Sequence, residues 1–492
     1  MKKVIISIFL CAAIMGVGSG DNAASGGDAQ DSYRTLLNPE GKLEITRHPG
    51  PFDLRAMRPG NIQQLPSYDP ASTKGWQVDL RSRDVSGLDL NGRAKDLLFA
   101  DFDSKTIWPK KFPDGFDPAK IMEMGKNPGL GIRKLHNQGV TGKGVGLAII
   151  DQGLLVDHPE YKDRLRSYEE IHNGDDRAAM HGPAVASIAV GKTVGVAPGA
   201  DLYYIAETHG TSESGQFVYD FSFLAQSIDR ILAINKALPN GRKIRVISIS
   251  VGWDQRQKGY PEVTAAVERA KKEGVFVVSS VISATYGGKF NFHGLGRNPN
   301  DDPERFASYR PGLWWMDQFY ARPETSPELL LVPMDSRCTA SPTGTDDYAF
   351  YRQGGWSWSI PYIAGLYALA CQVRPDIVPE TFWAKAVETG DAFEIPARRA
   401  MPSEAQLAKE INKILDDRFA AWRQQQKDTP LEKILADAYS RLSGKKLDTM
   451  NESDFRAWAA AGPIREMALG DTKPKALKSI VNPAKLIEAL RK

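Results

Sequence analysis

The 492 residues carry 63 basic and 60 acidic side chains, a formal net charge of +3, with 42% hydrophobic and 25% charged residues. This is ordinary globular composition, long enough for one large domain or two to three average ones. No basic stripe is present to neutralise phosphates, so a nucleic-acid partner has no electrostatic support.

The first twenty residues, "MKKVIISIFLCAAIMGVGSG", set two lysines before an apolar run and end in small residues. That layout predicts a secretory signal peptide over residues 1–20, and with it export to the cell envelope or beyond. The run is shorter than the roughly 20 residues a membrane span requires, and no later segment is apolar enough to span. Of three cysteines, Cys11, Cys338 and Cys371, removal of the first leaves at most one disulfide, so the fold does not lean on bridges. Cys371, in an apolar run, is expected in the core.

Residues 21–125 form an N-terminal extension, opening on the flexible "DNAASGGDAQ". A pro-segment, an accessory domain and padding on the main domain are all compatible with it. Within it Leu80, Val85 and Leu90 lie five residues apart, a hint of short stacked turns. Organisation sharpens after residue 126. "GIRKLHNQGVTGKG" predicts a short helix ending in turn glycines, and "VGLAII" after it a buried parallel strand. Further strands are expected at "DLYYIA", "IRVISISV" and "GVFVVSSV". Helices are expected between them at "HGPAVASIAVG", "YDFSFLAQSIDRILAINKAL" and "EVTAAVERAKKEG". Strands alternating with helices predict an α/β fold with a mostly parallel central sheet flanked by helices. "SEAQLAKEINKILDDRFAAW" and "TPLEKILADAYSRLSG" then read as amphipathic helices, with Ser403 and Thr429 as N-caps and Gly444 past the second end.

Three stretches carry chemistry. Serine is a poor nucleophile at neutral pH; it needs a base, and the base an orienting acid. Asp151 directly follows the "VGLAII" strand, where open α/β sheets bind ligands. His181 opens an apolar helix, a rigid mount for a ring facing a cleft. Ser357, in "GGWSWSIPYIAGLYALACQ", precedes a segment from Ser359 to Gln372 that is apolar all round. Pro361 fits that helix's first turn. A serine there meets the positive end of the helix dipole, and its own N–H helps to hold an oxyanion. Gly354 and Gly355 leave room for a substrate carbonyl. Read singly, Asp151 is also a turn aspartate, His181 a capping histidine and Ser357 a helix cap.

Together the blocks "KGVGLAIIDQGLLVDHPEY", "HGPAVASIAVGKTVGVAPGADLYYI", "VISISVGW" and "GGWSWSIPYIAGLYALA" resemble, in order, the Asp, His, specificity-wall and Ser blocks of the subtilase family of subtilisin-like serine proteases. The resemblance implies a subtilisin-like peptidase domain over 126–492. Asp151, His181 and Ser357 would be its catalytic triad, and Ser250, Val251 and Gly252 would line the bound peptide. "SIVNPAKLIEAL" resembles the closing segment of such a domain, which makes 397–478 a helical insertion. Calcium is commonly bound in the family, but no spacing here marks a calcium loop, and no organic cofactor is implied. Polypeptides are the implied substrates.

Departures sit beside the triad. Gln152 stands where Ser or Thr is usual, Pro183 where Thr is usual, and Trp356 and Trp358 flank the serine. No Asn occupies the usual oxyanion position, leaving Ser283, Thr285, Asn291 and His293 as candidate donors. The aromatic stretch "FASYRPGLWWMDQFY" is expected to pack on the core or cover the cleft. The sequence therefore predicts an exported serine endopeptidase acting through an acyl-enzyme. The alternative is a catalytically impaired protein of the same fold with a binding or regulatory role. An esterase of another α/β family would need a Gly-x-Ser-x-Gly elbow and a different chain order.

Overall fold

The computed structural model describes residues 33–38, 43–58, 61–70, 72, 74–213, 216–321, 329–395, 404–426, 428–443, 446–461 and 475–492. The expected signal peptide and the capping positions Ser403 and Gly444 lie outside the described residues.

The N-terminal region supplies β1 (Arg34–Leu36), β2 (Val78–Asp79) and β3 (Ala100–Asp103). The five-residue spacing of Leu80, Val85 and Leu90 becomes a series of turns. Arg83, Leu88 and Arg93 donate their N–H groups to Leu80, Val85 and Leu90 carbonyls at 3.1, 3.0 and 3.1 Å. Each turn delivers one apolar side chain to a shared cluster with Phe102, Phe116 and Ile121.

There follow β4 (Gly146–Asp151), β5 (Leu165–Asn173), β6 (Asp201–Ala206), the hairpin β7 (Gly210–Glu213) and β8 (Gln216–Tyr219), β9 (Ile244–Ile249) and β10 (Phe276–Ser279). The central sheet has the order β1-β5-β6-β4-β9-β10. It is parallel throughout except for β1, which runs antiparallel on β5. Side-chain alternation along β4 explains its unbroken apolar run. Leu147 and Ile149 face the His181–Val190 and Trp356–Val373 helices; Ala148 and Ile150 face the Ser222–Ala237 and Tyr260–Lys272 helices.

The second half carries strands that sequence reading missed: β11 (Phe292–Arg297), β12 (Tyr309–Pro311), β13 (Leu330–Pro333), β14 (Arg337–Ala340), β15 (Tyr348–Tyr351), β16 (Asp391–Ile395) and β17 (Lys475–Ile480). β5 of the central sheet was missed as well. Four of them, β12 to β15, are runs of three or four residues, too short to show a period. β11 to β17, with β2 and β3, form two further sheets, β12-β11-β13-β17-β16 and β14-β15-β3-β2. The second joins the N-terminal region to the hairpin that leads into Ser357.

The helix expected from Ser359 begins earlier, at Trp356, so Pro361 is not in its first turn but inside the helix. A residue at this position ordinarily donates to the carbonyl four residues back, and proline has no N–H to give. The orphaned Ser357 carbonyl is met instead by the Ser250 hydroxyl at 3.1 Å. Cys338 and Cys371 are both buried free thiols.

Near the C-terminus, helices Glu404–Gln425, Leu431–Ser443 and Glu452–Ala461 surround a small core of their own that includes Leu415, Phe419, Leu435 and Phe455. The chain then returns as β17, between β13 and β16, and ends in the Pro483–Arg491 helix, capped by Asn482. Among the described residues no helix is long and apolar enough to cross a membrane.

Candidate active site

Asp151 is the last residue of β4, and His181 the first of the next helix on that face. Their side chains meet there: His181 Nδ1 lies 2.7 Å from Asp151 Oδ1, both groups buried. The same carboxylate oxygen accepts the Gln152 N–H at 2.8 Å, which fixes its direction. The close approach rests on Gly182. A Cβ there would lie 2.5 Å from the Gln152 carbonyl oxygen and 2.6 Å from the Tyr204 hydroxyl.

Ser357 is the second residue of its helix, whose N-cap, Gly355, takes φ +73°. In that first turn its own N–H has no partner within the helix and faces the positive end of the dipole. Gly354 is required by packing rather than by a substrate, since a Cβ there would lie 2.5 Å from the Met334 carbonyl. Ser357 Oγ donates to the Ser250 carbonyl at 3.3 Å, reciprocating the Ser250 hydroxyl. His181 Nε2 is buried without a hydrogen-bond partner, and the imidazole lies 5.4 Å from the Trp358 ring, centroid to centroid. The acid and the base are thus in contact, while the serine hydroxyl is turned toward β9.

The residues expected to line a peptide follow β9 directly. Ser250 touches Ser357, whereas the Val251 side chain packs in the core and its carbonyl accepts the Ser280 N–H at 3.2 Å. Gly252 packs against Val281. Three of the candidate oxyanion donors are committed elsewhere. Ser283 Oγ donates to Asn291 Oδ1 at 2.9 Å, Thr285 Oγ1 to the Val281 carbonyl at 3.1 Å and Asn291 Nδ2 to the Gly288 carbonyl at 2.8 Å. His293, on β11, instead faces the rings of Phe319 and Trp356. The aromatic stretch packs against other rings. Trp315 lies 4.8 Å from Trp356, and Trp314 reaches Trp76 of the N-terminal region at 5.5 Å.

Sequence reading missed a second acid–imidazole pair beside Asp151. Glu207 follows β6 and donates its N–H to the Asp151 carbonyl at 2.8 Å; its carboxylate bonds His209. The rule that singled out Asp151, an acid just past a strand's carboxyl end, also marks Glu207. Burial disfavours the His209 cation, but adjacent Glu207, and Asp151 beyond it, more than offset this and raise its pKa. A raised folded pKa stabilises fully below the unfolded value of about 6.5, and the contribution is lost as pH rises through the folded pKa. We expect His209→Asn, which tolerates the left-handed φ of +63° at this position, to lower the melting temperature more at pH 6 than at pH 9. A loss that is equal at both, or larger at pH 9, would contradict the pairing.

Among the described residues no group of three or more His, Cys, Asp or Glu side chains is placed to hold a metal ion.

Residues 142–285 match the model of the Subtilase family. The chain is 29% identical over 153 residues to the major intracellular serine protease of Bacillus subtilis (strain 168), covering 29% of this chain and 43% of that protein. It is 31% identical over 151 residues to subtilisin-like protease 2 of Arthroderma otae, covering 30% and 32%. It thus spans less than half the length of the curated relatives it matches. A cold-adapted subtilisin-like serine proteinase of known structure aligns at 18% identity and TM-score 0.36, over 51% of this chain and 83% of that one. The matched segment holds the Asp151–His181 pair and the β9 wall, and through that segment the chain is similar to the subtilase family.

Proposed function

We propose that the protein is an exported serine endopeptidase. The observation that carries this reading is the 2.7 Å contact between the buried Asp151 and His181, with Ser357 at a helix start beside the β9 wall. In the reaction, the Ser357 hydroxyl turns from the Ser250 carbonyl to His181 Nε2. Its oxygen bonds the scissile carbonyl carbon while Nε2 takes the proton, and Asp151 stabilises the imidazolium. The C–N bond then breaks, and the same proton leaves on the amine. Water, activated by His181, hydrolyses the acyl-enzyme. The Ser357 backbone N–H supplies one oxyanion donor. Export is read from the "MKKVIISIFLCAAIMGVGSG" leader.

A second reading, a catalytically impaired protein with a binding or regulatory role, is favoured by one specific observation. Ser357 Oγ is bonded to Ser250, and the side chains nearest the usual oxyanion position are bonded elsewhere. A fluorophosphonate probe separates the two. Covalent labelling of the full chain that vanishes in Ser357→Ala supports the peptidase; absence of labelling supports the impaired protein.

A further inference from the structure

Beside the triad lies a cavity of about 760 Å³ whose wall combines the family-matched segment with the N-terminal region, which lies outside that match. Phe52, Met57 and Trp76 come from the N-terminal region. Gln152 and Met180, next to Asp151 and His181, and Tyr351, at the end of β15, line it as well. The N-terminal side is held in place. The Trp76 backbone N–H donates to Gln353 Oε1 at 3.2 Å and its indole N–H to the Gln353 carbonyl at 3.0 Å, four residues before Ser357. β1 extends the central sheet, and β3 pairs with β15.

The wall's charges are matched inside the protein. Arg81 donates to both Asp79 carboxylate oxygens, at 2.8 and 2.7 Å, and to the Tyr351 hydroxyl at 3.1 Å; Arg58 meets the same Asp79 at 2.7 Å. Arg177 pairs with Asp175 at 3.1 Å. An ionic ligand would have to break these pairs, whereas the rings and the 54%-exposed Met57 offer apolar contact. The size suits a ring-bearing segment of a few residues. None of the wall comes from Ser250–Gly252, the stretch expected to line the bound peptide; the cavity instead adjoins Asp151 and His181 through their neighbours Gln152 and Met180, and His181 is the group that returns a proton to the leaving amine.

We propose that this cavity binds an aromatic-bearing segment of a polypeptide substrate on the C-terminal side of the scissile bond, with Phe52, Met57 and Trp76 of the N-terminal region a permanent wall of the cleft. The side assignment rests on the peptidase reading; the ring pocket does not. Two experiments on the full chain keep them apart. Peptides carrying one p-benzoylphenylalanine, irradiated with Ser357→Ala protein, should cross-link at Met57 or Met180, and the yield should fall at least about tenfold in Met57→Trp, which fills the cavity. Cross-links elsewhere, or a yield that Met57→Trp leaves unchanged, overturn the pocket. In a wild-type peptide-library digest, Phe, Tyr and Trp should be enriched about tenfold over Ala within three residues after the cut, falling toward parity in Met57→Trp. Cleavage without that enrichment overturns the side assignment. A wild-type protein that cuts nothing and escapes fluorophosphonate removes the peptidase reading, and the cross-link then decides the pocket alone.

Discussion

Replacing Asp151 with Asn should lower kcat by about four orders of magnitude while leaving the fold and KM nearly unchanged. The carboxylate accepts from His181 Nδ1 at 2.7 Å and from the Gln152 N–H at 2.8 Å through a single oxygen. An isosteric amide that turns its NH2 toward the ring favours the tautomer whose Nε2 carries the proton. That nitrogen then has no lone pair for the Ser357 hydroxyl. The measurement is steady-state kinetics on a cleaved peptide, with circular dichroism as the folding control. A loss below about tenfold would mean that His181 is oriented by something else, and the proposed proton path would fall.

The second large effect separates two parts of the C-terminal region. A chain ending at Ile395 loses β17 and the Pro483–Arg491 helix, and with them Leu477, Ile480, Leu486, Ile487 and Leu490, all buried in the main core. Burial of each such side chain contributes about 1.5–3 kcal/mol, so together they approach the whole stability of a typical domain, about 5–15 kcal/mol. The truncated chain should give no soluble, cooperatively unfolding protein. Replacing residues 396–474 with an Asn-Gly turn should give the opposite result. β16 and β17 are antiparallel and Ile395 pairs with Lys475, the geometry a two-residue hairpin closes. The three excised helices pack around their own cluster. The excised protein should melt within a few degrees of the full chain and keep its fluorophosphonate labelling. A stable truncation at Ile395, or an excised chain that does not fold, would refute this placement of the insertion.

The N-terminal region packs by the same kind of pairing. Phe350 of β15 is buried among Leu80, Val85 and Phe102, so the hairpin leading to Ser357 and the turns of the N-terminal region share one core. The 21–125 stretch, which in sequence suits a pro-segment, an accessory domain or padding on the main domain, packs from residue 78 onward into the frame that carries Ser357.

The amino-acid order alone determined the α/β class, the strands that end at Asp151 and near Ser250, and the three candidate catalytic residues. Those signals are local: long apolar runs and turn glycines are written in contiguous residues and need no partner to be legible. Tertiary structure decided what depends on distant segments meeting. It put Pro361 inside a helix, because the Ser250 hydroxyl takes the carbonyl that proline leaves open. It committed Ser283, Thr285 and Asn291 to neighbours other than an oxyanion. It assembled two further sheets, several of whose strands are too short to show a period, and it set Glu207 and His209 beside Asp151. The physical reason is common to all of these: a hydrogen bond or a packed ring belongs to two surfaces, and a linear reading sees one of them at a time.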